Sequence, residues 1–326
     1  MTTYSSRLSG GALALLAFVS VASADVKLND NFSVGGYVVG SYTYVSPDPG
    51  TSADRLDLDA VKTIFTGTFK PVTGVVSLFY PGPAGNDLTI LDAYATYDTG
   101  GGYSVTAGKF LSYLGYEAFD PVNMTQITYG APTSSPLFTI PAYHSGIRLD
   151  YGSDSSAFGL ALLDSVYNGP NIYKGDGELK GNAGFEGFYA YKGTPGLTLW
   201  AGFAYDSKGN LLSHSVLTLD FWAQYAVNKQ VTVAGEFANY DGGTGAKGSS
   251  WLAFLSYAST DKISTIFRVS GASLDAATPG ADYMQYTVCP TLKLTDNLSV
   301  RAEYSYYDYD GGATKSFFGV QGLFKF

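Results

Sequence analysis

LSVRAEYSYYDYDGGATKSFFGVQGLFKF, residues 298–326, holds two runs of alternating character joined by an Asp-Gly-Gly connection. In the first run Val300, Ala302, Tyr304 and Tyr306 oppose Arg301, Glu303 and Ser305; in the second Phe318, Val320, Gly322, Phe324 and Phe326 oppose Gln321 and Lys325. Successive side chains of a strand point to opposite faces, so this two-residue rhythm reads as β-strand with one apolar and one polar face. The rhythm continues upstream. Ser145, Ile147, Leu149 and Tyr151 stand against His144, Arg148 and Asp150, and Leu217, Leu219 and Phe221 against Thr218 and Asp220. Val231, Val233 and Phe237 stand against Thr232 and Glu236 in the same way.

Sixteen such runs begin near Phe32, Leu56, Gly74, Leu88, Tyr103, Tyr143, Ala157, Ala183, Leu197, Val216, Val231, Ser250, Ile263, Asp282, Leu298 and Lys315. Gly, Pro, Asn and Asp punctuate the gaps. Short turns fall near Pro71, Gly101, Gly152-Ser153, Gly193-Thr194, Asn228-Lys229, Thr260-Asp261 and Asp296-Asn297. Between them lie longer polar connections at 45–55, 81–87, 112–142, 168–182, 206–213, 241–249 and 273–281, with a brief one at 310–314. Strict alternation of short and long puts all turns on one rim and all loops on the other. A soluble sandwich has no reason to segregate its connections this way, and a propeller would repeat a motif.

Alternation alone does not say which face is inside. Composition does. Charged residues make up 14 % of the chain, against about 25 % in an ordinary soluble domain, while hydrophobics reach 45 % with 27 Tyr and 20 Phe. Tyrosines recur near strand ends (Tyr44, Tyr80, Tyr97, Tyr151, Tyr167, Tyr191, Tyr205, Tyr225, Tyr240 and Tyr257), as the two aromatic girdles of a membrane barrel require. In lipid every backbone amide must be paired, so strands can span only as a closed cylinder. The expected fold is all-β: a transmembrane antiparallel up-and-down β-barrel of about 16 strands, with short periplasmic turns and longer external loops. A cylinder of that width encloses water.

Residues 1–24 read as a secretory signal peptide: Arg7 as the only charge, an apolar run from Ala12 to Val21, then Ala22-Ser23-Ala24. The expected mature chain is a single barrel domain, 25–326, and losing Arg7 takes the formal net charge from −9 to −10. Such acidity argues against a nucleic-acid partner. Beyond residue 24 no stretch holds 18 consecutive apolar residues, which excludes a helical membrane protein. One Cys and two His exclude a disulfide scaffold and Cys/His zinc clusters, and no cofactor is expected. An enzyme is not expected either. His144 and Ser145 lie on opposite faces of a strand, His214 sits in a loop near Asp206 and Asp220 without a motif, and no Gly-x-Ser-x-Gly elbow occurs. Cys289 reads as an inert thiol, and Pro290 calls for a bulge or a strand end, because it removes a ladder bond.

Gly108-Lys109-Phe110 with Gly115-Tyr116-Glu117, and the closing Leu323-Phe324-Lys325-Phe326, resemble a Gram-negative outer-membrane porin of the OmpL-like β-barrel type. The resemblance implies an outer-membrane channel for passive diffusion of ions and small hydrophilic solutes, in contact with outer-membrane lipid, and a homotrimer by analogy. It makes Phe324 and Phe326 similar to the signal that the outer-membrane assembly machinery reads. It also implies a third external loop folded into the lumen, which by count is 112–142. Its acids Glu117 and Asp120, and Lys109 on the strand feeding it, are then candidate constriction residues. On the wall, Lys62, Arg148, Arg268 and Arg301 are candidate lumen cations, and Asp92, Asp150, Glu186, Asp220, Glu236 and Glu303 candidate lumen acids. The acid excess predicts weak cation preference. A sugar-selective channel is the second reading, since it needs an aromatic slide that Trp200 and Trp222 could supply. A barrel hydrolase or a closed structural barrel stands behind it.

Overall fold

Two-residue alternation broken by turn residues dictates a meander, and the computed structural model describes one over residues 25–82, 87–134, 140–167, 183–207, 215–242, 247–275 and 282–326. The leader expected at 1–24 and His214 lie outside the described residues. The strands are β1 (Val26–Lys27), β2 (Phe32–Asp48), β3 (Ala53–Phe69), β4 (Val72–Tyr80), β5 (Thr89–Gly100), β6 (Tyr103–Leu111), β7 (Tyr143–Gly152), β8 (Ser156–Leu163) and β9 (Gly184–Tyr191). They continue as β10 (Leu197–Asp206), β11 (Val216–Ala226), β12 (Val231–Asp241), β13 (Lys247–Ala258), β14 (Ile263–Leu274), β15 (Tyr283–Lys293), β16 (Leu298–Tyr309) and β17 (Thr314–Lys325). From β2 onward each strand pairs antiparallel with its neighbours in sequence, and β17 returns to β2, from Thr314↔Asp48 to Lys325↔Tyr37. The result is a closed 16-strand barrel with one extra strand, β1, which pairs only with the start of β2. Two residues are too few to show a period, so β1 escapes a sequence reading.

Closure gives the wall of the barrel no free edge strand, although Ala53–Ala60 of β3 run past the end of β4 and pair only with β2. At the seam Gly36 and Phe326 exchange backbone hydrogen bonds of 2.8 and 3.0 Å. A side chain at Gly36 would bring its Cβ within 2.2 Å of the Lys62 carbonyl oxygen, so glycine is what lets the seam approach β3.

The faces are inverted relative to a soluble barrel. Ile147, Leu160, Phe267 and Phe324 are exposed on the outside, whereas Glu186, Asp220, Glu236, Arg268, Arg301 and Glu303 point inward and are each no more than 3 % exposed. An apolar belt of that extent is stable only under lipid. Tyr97, Tyr191, Tyr225 and Tyr257 face outward at the rim of short turns, and Tyr44 and Tyr205 towards the rim of long loops. Tyr167 and Tyr240 correct the girdle expectation. They pack edge to face inside the barrel at 6.1 Å, because Tyr240 shares the parity of Glu236 and Ala238.

Strands start within three residues of the expected positions. The expected loop 45–55 is the largest difference: β2 and β3 run on as a hairpin beyond the others, leaving only 49–52 between them. Two bulges re-aim carboxylates, as bulges do. One, opposite Val39/Gly40, gives β3 an extra residue and turns Asp59 inward to Ser41 (2.8 Å) and Gln321 (2.7 Å). The other, at Val76/Leu78, brings Asp92 against Ser77 at 2.6 Å. Pro290 needs neither expected remedy. Within β15 the register runs unshifted from Val288↔Tyr304 to Thr291↔Arg301, and pairing with β16 simply lapses between them while Pro290 faces outward.

Candidate channel lumen

Residues 112–142 leave the wall between β6 and β7, and Ser112 N–H donates to the Ala142 carbonyl at 2.7 Å, drawing both ends together. Among its described residues the segment has almost no regular structure: a short 3-10 turn at Pro121–Asn123 and a four-residue helix, α1 (Ala131–Ser134). Its backbone N–H groups therefore lack ladder partners, and buried ones must be satisfied otherwise. The inward carboxylates of the wall satisfy them. Glu186 accepts from the Ser112 hydroxyl (2.7 Å) and Tyr113 N–H (3.2 Å), Asp220 from Gly115 N–H (2.7 Å) and Glu236 from Tyr116 N–H (2.8 Å). Glu303 accepts from Ile127 N–H, Thr128 N–H and the Thr128 hydroxyl. Gly115 turns the chain between two of these anchors at φ 100°, a left-handed conformation that favours glycine.

The segment's own acids meet the wall's cations. Glu117 pairs with Arg268 and also accepts from Gly130 N–H at 2.6 Å. Asp120 lies 3.1 Å from Lys62 and accepts from the Tyr37 hydroxyl at 2.9 Å. Lys62 also lies 3.0 Å from Asp92. Arg301 donates to the Met124 and Pro121 carbonyls at 2.8 and 3.1 Å. The lumen-crossing segment is thus fastened to β3, β7, β9, β11, β12, β14 and β16. Burial first, and the neighbouring Asp150 carboxylate second, push the Tyr113 hydroxyl well above its ordinary value; Tyr116 is raised by burial and then by Glu117. Both phenols remain donors, Tyr113 to Asp150 (2.6 Å) and Tyr116 to Gln224 (3.0 Å).

Twelve of the thirteen constriction residues named from sequence fall inside the cylinder or on the crossing segment. Lys109 is the correction. It shares the outward row of β6 with Val105 and Ala107, while Thr106 and Phe110 face in, and its ammonium donates to the Ile90 carbonyl at 2.9 Å. Phe324 faces outward and stacks on Phe326 at 6.1 Å. His144 is buried 3.4 Å from Glu186, on the face opposite Ser145. The expected constriction set held only charged residues, yet Gln285, Thr287, Ser305 and Gln321 are buried inside as well. Arg301 Nε donates to Gln321 (2.8 Å), which continues to Asp59, and Thr287 and Ser305 bond at 2.7 Å. Their inward parity was the available signal. Among the described residues no group of three His, Cys, Asp or Glu could hold a metal ion.

On the turn side of the crossing segment a cavity of about 300 Å³ remains, bounded by the segment and by β5–β7 and β9–β11. Arg148 enters it, 3.2 Å from Asp150 and lying over the Phe110 ring at 4.7 Å. Trp200 and Trp222 form part of its wall.

A cylinder with an apolar exterior, an ionic interior and a crossing segment narrows the comparison, and the family described as "Putative beta-barrel porin-2, OmpL-like" matches residues 31–325. The chain belongs to this porin family. This porin-family barrel is accordingly a protein of the bacterial outer membrane. No match is found among curated proteins. Among solved structures it is similar to an anion-selective porin from Comamonas acidovorans (13 % identity, 90 % of this chain and 99 % of that one, TM-score 0.70). It is also similar to Salmonella typhi OmpF in complex with daunomycin (15 %, 93 % and 100 %, 0.67) and to a trimer form of Vibrio cholerae OmpT (12 %, 91 % and 100 %, 0.61). At such identities the likeness is one of fold.

Proposed function

We propose that this barrel is a passage for passive diffusion of ions and small hydrophilic solutes across the outer membrane, narrowed by residues 112–142 and weakly preferring cations. The observation that carries this reading is an ionic lumen crossed by a segment anchored around most of its circumference. Such an arrangement makes and breaks no bond; it sorts solutes by width and by field. Inward acids outnumber inward bases, and Asp59 adds to the excess, which supports the cation preference. A homotrimer accords with the OmpT trimer form, and the outward Phe324 and terminal Phe326 fit recognition by assembly machinery.

Purified protein in a planar bilayer is expected to give ohmic conductance steps. A salt gradient is expected to give a reversal potential of cation-selective sign. Folded protein that inserts without conducting, or an anion-selective reversal potential, overturns the respective part of this reading. The second reading, a solute-selective channel, is favoured by the inward Trp200 and Trp222.

A further inference from the structure

We propose that a polar pocket on the outer face of β12–β14, at their loop-side ends, binds the headgroup of a zwitterionic membrane lipid, one that carries both a phosphate and an ammonium. The inference goes beyond the channel reading and needs only the outward face of these three strands.

Two rows of side chains build the pocket. Asn239, Ser249 and Ser273 stand side by side across the three strands, with the outward parity of Phe237, Trp251 and Phe267. Asp241, Lys247 and Asp275 form the next row towards the loops, where Asp275 N–H donates to the Lys247 carbonyl at 2.8 Å. All six residues line a cavity of about 200 Å³. Apolar groups border it directly. One outward row nearer the strand centres lie Phe237, Trp251 and Gly271, and on β11 the same two rows continue into Leu219 and Leu217. Trp251 Nε1 lies 3.2 Å from where a Cβ on Gly271 would stand, so the indole leans across β14 below the pocket. Tryptophan is favoured at the level where headgroups meet acyl chains. A lipid whose chains run over Trp251 and Phe237 therefore presents its headgroup to the two polar rows.

The charges specify that headgroup. Lys247 donates to Asp241 at 2.8 Å, which occupies one of the three donors of its ammonium. Ser249, beside it on β13, adds a hydroxyl, so phosphate oxygens find donors here. Asp241 and Asp275 outnumber Lys247, however, and leave the pocket one negative charge in excess. A headgroup with phosphate alone would meet that excess. One that also carries an ammonium offsets it, with its phosphate towards Lys247 and its ammonium towards Asp275. A space of about 200 Å³ is below the range for a whole small-molecule ligand and suits a headgroup whose chains stay in the bilayer.

The test reconstitutes the full barrel in bilayers and reads tryptophan quenching by lipids brominated on their acyl chains. Trp200 and Trp222 are buried inside the barrel, which leaves Trp251 as the indole against lipid. Phosphatidylethanolamine should be enriched beside Trp251 about two- to fivefold over phosphatidylglycerol, which has no ammonium, as half-exposed ion pairs support. Phosphatidylcholine, whose methylated ammonium donates no hydrogen bond, should fall between them. Asp275→Asn should bring the ethanolamine-to-glycerol ratio to about one, and Lys247→Gln should lower the enrichment of phosphatidylethanolamine over a diacylglycerol that has no phosphate. Both positions are at exposed strand ends, and far-UV circular dichroism checks that the variants keep the barrel. Equal quenching by all four lipids, a preference for phosphatidylglycerol, an unchanged ratio in Asp275→Asn, or no quenching by any lipid overturns the proposal. A barrel that conducts without lipid preference defeats this inference and leaves the channel reading standing; lipid preference in a barrel that does not conduct defeats the channel reading alone.

Discussion

Arg268 is fully enclosed, and its guanidinium answers Glu117, the Thr128 carbonyl and hydroxyl, and Thr287. Removing one partner of a buried ion pair strands the other and typically costs about 3–5 kcal/mol. Glu117→Gln should therefore loosen residues 117–130 from the wall, seen as faster proteolysis within the segment and greater current noise, while the barrel itself stays assembled. Tyr113 carries a second residue-scale consequence. Its hydroxyl ionises near 10 in an unfolded chain and well above that when buried beside Asp150. The neutral phenol's contribution is fully present below pH 10 and is lost as pH rises through the higher folded value. Alkaline titration should show a tyrosine absorbance step that coincides with detachment of the segment, and Tyr113→Phe should remove that coupling.

At the scale of elements, strand positions and the two rims are legible because period-two alternation and turn residues are written directly in side-chain identity. The fastening of the crossing segment is not legible. Its donors are backbone N–H groups of Tyr113, Gly115, Tyr116 and Ile127, which any residue but proline supplies. Carboxylates that look like selectivity groups in the sequence thus turn out to be occupied as anchors. Lys109 misleads for a related reason: β6 has Phe110 on its inward face, so polarity no longer marks which side is wet. Asp59 was invisible because a bulge, not alternation, turns it inward. The outward assignment of the wall has its own test. Val320 lies mid-strand in β17 on the outer face, and Val320→Arg should cost about 2–4 kcal/mol in denaturant unfolding from lipid if it meets the bilayer centre.

At the scale of the whole molecule, Lys62, Arg148 and Arg268 pair with inward acids, whereas Glu186, Asp220, Glu236 and Glu303 accept from the crossing segment, leaving an acidic surplus. Such a surplus acts over roughly 10 Å at 0.1 M salt and about 3 Å at 1 M. The reversal potential per unit of salt gradient should therefore shrink as mean salt rises, and a selectivity insensitive to salt would assign it to pore width instead. The seam between β17 and β2 has a different consequence. Partners such as Val38 and Phe324 stand almost a full chain length apart, so a growing polypeptide cannot complete the ring in the order it is made. The first long strand must wait, edge bare, until the last arrives. Closure of the ring is therefore a late event, in which a sheet that would otherwise recruit strangers is sealed by β17.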